Sequence, residues 1–153
     1  MIKLHNITSR KASLKDIKDI VCMAFDFFSE FVLAATEDFN FDYVGKAAAN
    51  IIVGKDQEIF LIHDPEAGTV GMFYVYLAPA YFNPEIKVCE AHHLYLKPEY
   101  RNTSAVKVMY NTIREWAKNK GTFWLRDKKT SESIQYIIYK GEEKCQIQSQ
   151  PQL

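Results

Sequence analysis

The residues best suited to chemistry lie between Glu90 and Gly121. Glu90, His92 and His93 fall on one expected strand. Alternation along a strand sends the two neighbouring imidazoles to opposite faces, so they do not jointly grip one metal ion. Each histidine either lines a cleft and assists a base or simply faces solvent. Next comes Leu94-Tyr95-Leu96-Lys97-Pro98-Glu99-Tyr100-Arg101-Asn102-Thr103-Ser104-Ala105-Val106, which reads as a strand, a tight turn and the start of a helix. A helix N-terminus carries unpaired backbone amides and the positive end of the helix dipole. The junction therefore suits an anion such as a pyrophosphate.

The elements that must position these residues follow from periodicity and punctuation. Ile2 to Thr8 reads as a first strand. Ser13 opens a helix, with Asp16 completing a capping-box pattern and Ile17, Ile20, Val21, Ala24 and Phe28 at helical spacing. Phe25 and Phe28 are read as core. A second helix starts near Asp42 and stops at Gly54. Glu58 to His63 and Thr69 to Leu77 form a hairpin around Asp64-Pro65-Glu66-Ala67-Gly68. Ala78 to Glu85, with two prolines, reads as a loop, and Ile86 to Leu96 as a strand. Val106, Met109, Tyr110, Ile113 and Trp116 trace the buried stripe of an amphipathic helix from Thr103 to Asn119 that Gly121 ends. Thr122 to Arg126 reads as a strand and Ser131 to Lys140 as a short helix. Lys144 to Leu153 either adds a strand or hangs loose. This order gives an α/β (α+β) fold in one domain over 1–153, with a mixed, largely antiparallel sheet flanked by helices.

Composition narrows the function classes. Lys+Arg and Asp+Glu both number 19, so there is no basic excess to mark a nucleic-acid footprint. Arg126, Lys128 and Lys129 make a short basic run, read as a solvated loop. Cys22, Cys89 and Cys145 are isolated, which indicates neither a disulfide framework nor a zinc site. The first residues lack a signal-peptide core, and no apolar run is long enough to span a bilayer. The expected setting is the cytoplasm, with reduced thiols, no metal, no nucleic-acid partner and no membrane partner.

The Glu90 to Gly121 segment resembles motif A of the GNAT (Gcn5-related) N-acetyltransferases, and its style is similar to the small members encoded by phages and prophages. In that family an apolar strand ending Pro-Glu-x-Arg leads into a glycine-containing turn and a long helix. Here Ser104 and Val106 stand where the small residues of that turn are expected. The resemblance implies binding of acetyl-CoA as acyl donor. The amides of Arg101, Asn102, Thr103, Ser104, Ala105 and Val106 would cradle the pyrophosphate of coenzyme A. Leu94, Tyr95 and Leu96 would offer backbone groups to the pantetheine arm, and one of their amides would stabilise developing negative charge on the acetyl oxygen.

The resemblance also implies proton-transfer residues. Glu90 stands eleven residues before Arg101, the offset of the general-base glutamate in the histone-acetylating branch, or is a plain edge glutamate. The family's acid is often a tyrosine four residues before a glycine in the last helix. Counting back from Gly141 gives Ile137, flanked by Tyr136 and Tyr139 as candidates. Phe25, Phe27, Phe28, Phe31, Phe39, Phe41 and Tyr43, with Tyr81 and Phe82, fall on the acceptor side of the cleft in such proteins. The implied function is direct acetyl transfer to a primary amine, of a small molecule or a protein, with homodimerisation frequent in the family. The alternatives are a catalytically inactive GNAT-fold protein in a binding, regulatory or virion role, and an unrelated α/β interaction domain.

Overall fold

The computed structural model describes residues 6–30, 38–129, 133–140 and 143–151, with side chains as far as residue 124. The expected first strand lies mostly outside these residues. The chain divides into two compact units, residues 1–75 with 92–109 and residues 76–91 with 110–153.

The first unit contains a four-stranded antiparallel sheet flanked by helices. Strand β1 (Thr8–Lys11) pairs antiparallel with β2 (Gln57–Asp64), from Thr8 opposite His63 to Lys11 opposite Phe60. Strands β3 (Gly68–Ala80) and β4 (Asn83–Leu96) continue the order and supply their first and last residues, respectively, to this unit. A 3-10 turn, Leu14–Asp16, precedes α1 (Ile17–Ser29). The expected capping box is present: Asp16 Oδ2 accepts from the Ser13 amide at 2.8 Å and the Ser13 hydroxyl at 3.1 Å. Helix α2 (Phe41–Val53) starts at Asn40, whose Oδ1 accepts from the Tyr43 amide at 2.9 Å, and stops at Gly54.

Ile20 and Met23 of α1 and Ala48 of α2 pack with Ile59, Leu61, Met72 and Tyr95 of the sheet in one buried cluster. On the far face of the strands, Phe60 and Phe73 stack at 5.3 Å. Phe25 departs from its core expectation and is exposed, while Phe28 is half-buried. The buried stripe of α1 runs through Ile20, Met23, Ala24 and Phe27, and Phe25 lies five residues past Ile20, on another side of the helix. Phe25 stacks on Phe41 and meets Phe39 edge-on in a surface aromatic cluster.

Arg10 donates two hydrogen bonds to Asp16, at 2.9 and 2.8 Å. This fork, and then the Ser13 donors, hold the Asp16 carboxyl well below the usual carboxylate range. A lowered pKa adds stability that is complete above the ordinary aspartate value, near pH ~4, and is lost as pH falls below it. Half of Arg10 is in water, so the contribution is about 1 kcal/mol or less. Melting temperatures of the natural chain and an Asp16→Asn variant are expected to differ at pH 7 and to converge only as pH falls well below ~3, through the lowered Asp16 value. A gap that persists in acid would contradict this role.

The second unit holds the β3–β4 hairpin end and the remaining strands. The loop expected over Ala78 to Glu85 is instead a two-residue turn, Tyr81-Phe82, between continuous strands. Pro79 and Pro84 sit inside the strands, both exposed, where the backbone is already extended and a missing N–H is tolerated. The hydrogen-bonded ladder therefore overrides the turn signal of two prolines. β5 (Trp124–Lys129) pairs parallel with β4, Cys89 opposite Trp124, and the Cys89 amide donates to the Phe123 carbonyl at 3.0 Å. The basic run Arg126, Lys128, Lys129 belongs to β5, not to a loop.

The expected helix over Ser131 to Lys140 is a strand. β6 (Ser133–Lys140) pairs antiparallel with β5 and with β7 (Glu143–Pro151). The sequence Ser-Ile-Gln-Tyr-Ile-Ile-Tyr-Lys is dense in β-branched and aromatic residues, and pairing on both sides favours the extended form. Helix α3 (Ser104–Asn119) runs from the first unit into the second. It buries Ala105, Met109, Ile113, Trp116 and Ala117. At its end Gly121 takes φ 72°, and the Thr122 amide returns to the Ala117 carbonyl at 3.0 Å.

Candidate active site

The β4–α3 junction is built on an anchor that pattern reading does not reveal. Asp64, at the end of β2, is 3% exposed. Its Oδ1 accepts from the Glu66 and Ala67 amides at 2.8 and 3.3 Å, and its Oδ2 accepts from the Tyr100 hydroxyl at 2.8 Å. One carboxylate thus holds the β2–β3 turn and the 3-10 turn Pro98–Tyr100 together. Hydrogen bonding to Asp64, then desolvation, pushes the Tyr100 phenol up to about 12, so it donates throughout the neutral range. Asp64→Ala would leave a buried hydroxyl and two turn amides without this acceptor, at a cost of about 3–4 kcal/mol; Tyr100→Phe removes one bond to the buried carboxylate and costs about 2 kcal/mol. Denaturant unfolding of both variants checks this order, and equal losses would contradict it.

Beyond this anchor the turn is held tightly. Arg101 Nε donates to the Leu96 carbonyl at 2.9 Å, and its guanidinium pairs with Glu30 at 2.6 Å. The Thr103 hydroxyl donates to the Tyr100 carbonyl at 2.8 Å and accepts from the Ala105 amide at 3.2 Å, which caps α3. The Arg101, Thr103 and Val106 amides reach carbonyls within the turn, each at a long 3.3 Å. Among the described residues, Asn102 and Ser104 keep amides not engaged this way, and both are exposed. The first turn of α3 carries no acidic residue. This donor set fits an anion, with fewer amides on offer than the six that the resemblance implies.

Upstream, His93 takes φ 52°, the left-handed region that side chains other than glycine rarely adopt. The expected alternation of His92 and His93 fails there. The twist at His93 breaks the pleat, and both histidines line the same cavity, with ring centroids 6.4 Å apart. His93 stands edge-on to Phe27 at 5.6 Å. Desolvation on that packed side, and then the neighbouring His92, hold its imidazole below the ordinary value. The cavity is about 740 Å³, and its floor is formed by Ile20, Ala24, Ala48, Ile59 and Met72.

Glu90 belongs to the second unit. It is half-buried on β4, and its Oε2 accepts from the Tyr76 hydroxyl on β3 at 2.7 Å. Cys89 beside it is fully buried, and burial pushes its thiol up to about 12, so it serves as packing and not as a nucleophile. Tyr136 and Tyr139 lie on β6 opposite Gln148 and Lys144, and no helix is there to shift. Tyr81 and Phe82 are exposed at the hairpin turn. Sequence patterning assigns Asp64 a turn role but not its bond to Tyr100, and it assigns Tyr76 no role, because a single polar residue inside a strand carries no motif.

No family model and no curated protein matches this sequence. Solved structures do match in shape. A GCN5-related N-acetyltransferase from Ralstonia eutropha JMP134 aligns with TM-score 0.59 at 13% identity, over 76% of this chain and 79% of that one. The fold is the GNAT fold. The same GNAT architecture appears in a predicted acetyltransferase with acetyl-CoA from Clostridium acetobutylicum, with TM-score 0.58 and 14% identity over 77% of each chain. A transcriptional regulator from Bacillus halodurans C-125 is similar at TM-score 0.61 and 19% identity, over 76% of this chain and 77% of that one. Among the described residues, no helix is long and apolar enough to cross a membrane.

Proposed function

We propose that the chain is an acetyl-CoA-dependent N-acetyltransferase that acts on a primary amine by direct transfer. The observation that carries this reading is the β4–α3 junction of a GNAT fold, anchored by Asp64 and Tyr100 and opening an acid-free helix start to an anion. Acetyl-CoA would supply an activated acyl group as its thioester. Asn102 and Ser104 would offer amides to its pyrophosphate, with Arg101, Thr103, Ala105 and Val106 shaping the turn around them. The backbone of Leu94, Tyr95 and Leu96 would meet the pantetheine arm.

Glu90 would take the proton that the acceptor's ammonium must lose before its nitrogen can attack. The Tyr76 hydroxyl donates to Oε2 of that carboxylate at 2.7 Å and so helps to orient it. Tyr136 or Tyr139 would return a proton to the leaving thiolate. Release of free thiol from acetyl-CoA across a panel of amines tests the reading. Amine-dependent release is expected. Binding of acetyl-CoA with no release for any amine would instead leave a GNAT-fold binding protein.

A further inference from the structure

The cavity beneath α1 and α2 has a chemistry of its own. Its floor is aliphatic, and Phe27, Phe28, Phe39 and Tyr43 add aromatic walls. Tyr43, Tyr74, His92 and His93 are the residues with polar side chains in the described lining, which includes no charged carboxylate, lysine or arginine. At about 740 Å³ it falls in the range of sites for compact organic molecules. We infer that this cavity receives the apolar body of an aromatic monoamine, and that such amines are the acceptor class. The inference rests on the acetyltransferase reading for the word acceptor, but not for binding itself.

An apolar ring gains free energy by leaving water for these walls, at about 25 cal/mol per Å² buried. Ring faces also attract an ammonium group. His93, whose imidazole burial and then His92 hold below its ordinary value, can offer an unprotonated ring nitrogen to accept a hydrogen bond from the amine. An aliphatic polyamine would have to strip several ammonium groups of water against walls that return little for them. The bound pose is therefore a ring on the aliphatic floor with the amine at the histidine end.

The test uses the full chain with 2-phenylethylamine and spermidine. With acetyl-CoA present, kcat/KM for 2-phenylethylamine should exceed that for spermidine by at least about tenfold. Ala47→Phe and Ala24→Phe, on α2 and α1, each fill the cavity and should raise the KM for 2-phenylethylamine by about tenfold. In these variants the thermal shift given by acetyl-CoA should stay as in the natural chain, which shows that they fold. A preference for spermidine, or unchanged kinetics in both filled variants, would overturn the inference and leave acetyl transfer standing. Should acetyl-CoA neither bind nor release thiol, acetyl transfer fails, and calorimetry with 2-phenylethylamine alone decides the cavity. Heat that the filled variants abolish supports binding there; no heat in any variant overturns it.

Discussion

Glu90→Gln is expected to lower amine acetylation by roughly two to four orders of magnitude while leaving acetyl-CoA binding intact. Glutamine has the same size and can still accept from the Tyr76 hydroxyl that meets Glu90 at 2.7 Å, so the hairpin should hold its shape. What it loses is a carboxylate able to take a proton. A base acts on the acceptor and not on the donor, so the loss belongs in kcat and kcat/KM and not in the donor's dissociation constant. Tyr76→Phe should fall between the two, because the carboxylate remains and only its orientation is released. Rates in Glu90→Gln within twofold of the natural chain would remove Glu90 from the mechanism.

The second large effect is structural. Gly71 on β3 faces β4 so closely that an added Cβ would lie 2.5 Å from Leu96 Cδ2 and 2.6 Å from the Tyr95 carbonyl oxygen. Leu96 can swing aside, but the carbonyl is backbone and cannot. Gly71→Ala must therefore push the end of β4 away from β3, beside the bond from the Lys97 amide to the Val70 carbonyl at 2.9 Å. The expected cost is roughly 2–4 kcal/mol, a fall in melting temperature of roughly 5–15 °C. Tyr95 and Leu96 are also the strand residues proposed to meet the pantetheine arm, so acetyl-CoA binding should weaken in the folded fraction. A Gly71→Ala variant that melts within 1–2 °C of the natural chain would show that the sheet yields at this point more readily than its packing implies.

Much of the fold was legible in the sequence because local signals and tertiary pairing agreed. Ser13 with Asp16, Gly54 after α2, the Asp64–Gly68 turn and Gly121 after α3 all do in the fold what their chemistry suggests. The failures occur where tertiary pairing overrides a local rule. Pro79 and Pro84 punctuate the sequence yet lie in paired strands, and the Ile-rich β6 gains from two neighbours more than a short helix offers. The left-handed twist at His93 cannot be read from a histidine, although it sets both imidazoles on one cavity. Of the site, the β4–α3 junction was legible as a strand, turn and helix start. Its dependence on Asp64, 36 residues before Tyr100, was not, because a contact so distant leaves no spacing to recognise.

Thermal unfolding with and without acetyl-CoA bears most directly on the central claim that this junction holds the acyl donor. A ligand that binds only the folded chain raises its stability by mass action, about 2.7 kcal/mol at a hundredfold excess over its dissociation constant. With ~1 mM acetyl-CoA and a constant of ~10 µM, the melting temperature should rise by roughly 5–10 °C. Replacing Ser104 by proline, which removes one of the two exposed amides, should cut that rise. No rise at ~1 mM acetyl-CoA, in a chain that otherwise unfolds cooperatively, would contradict the claim.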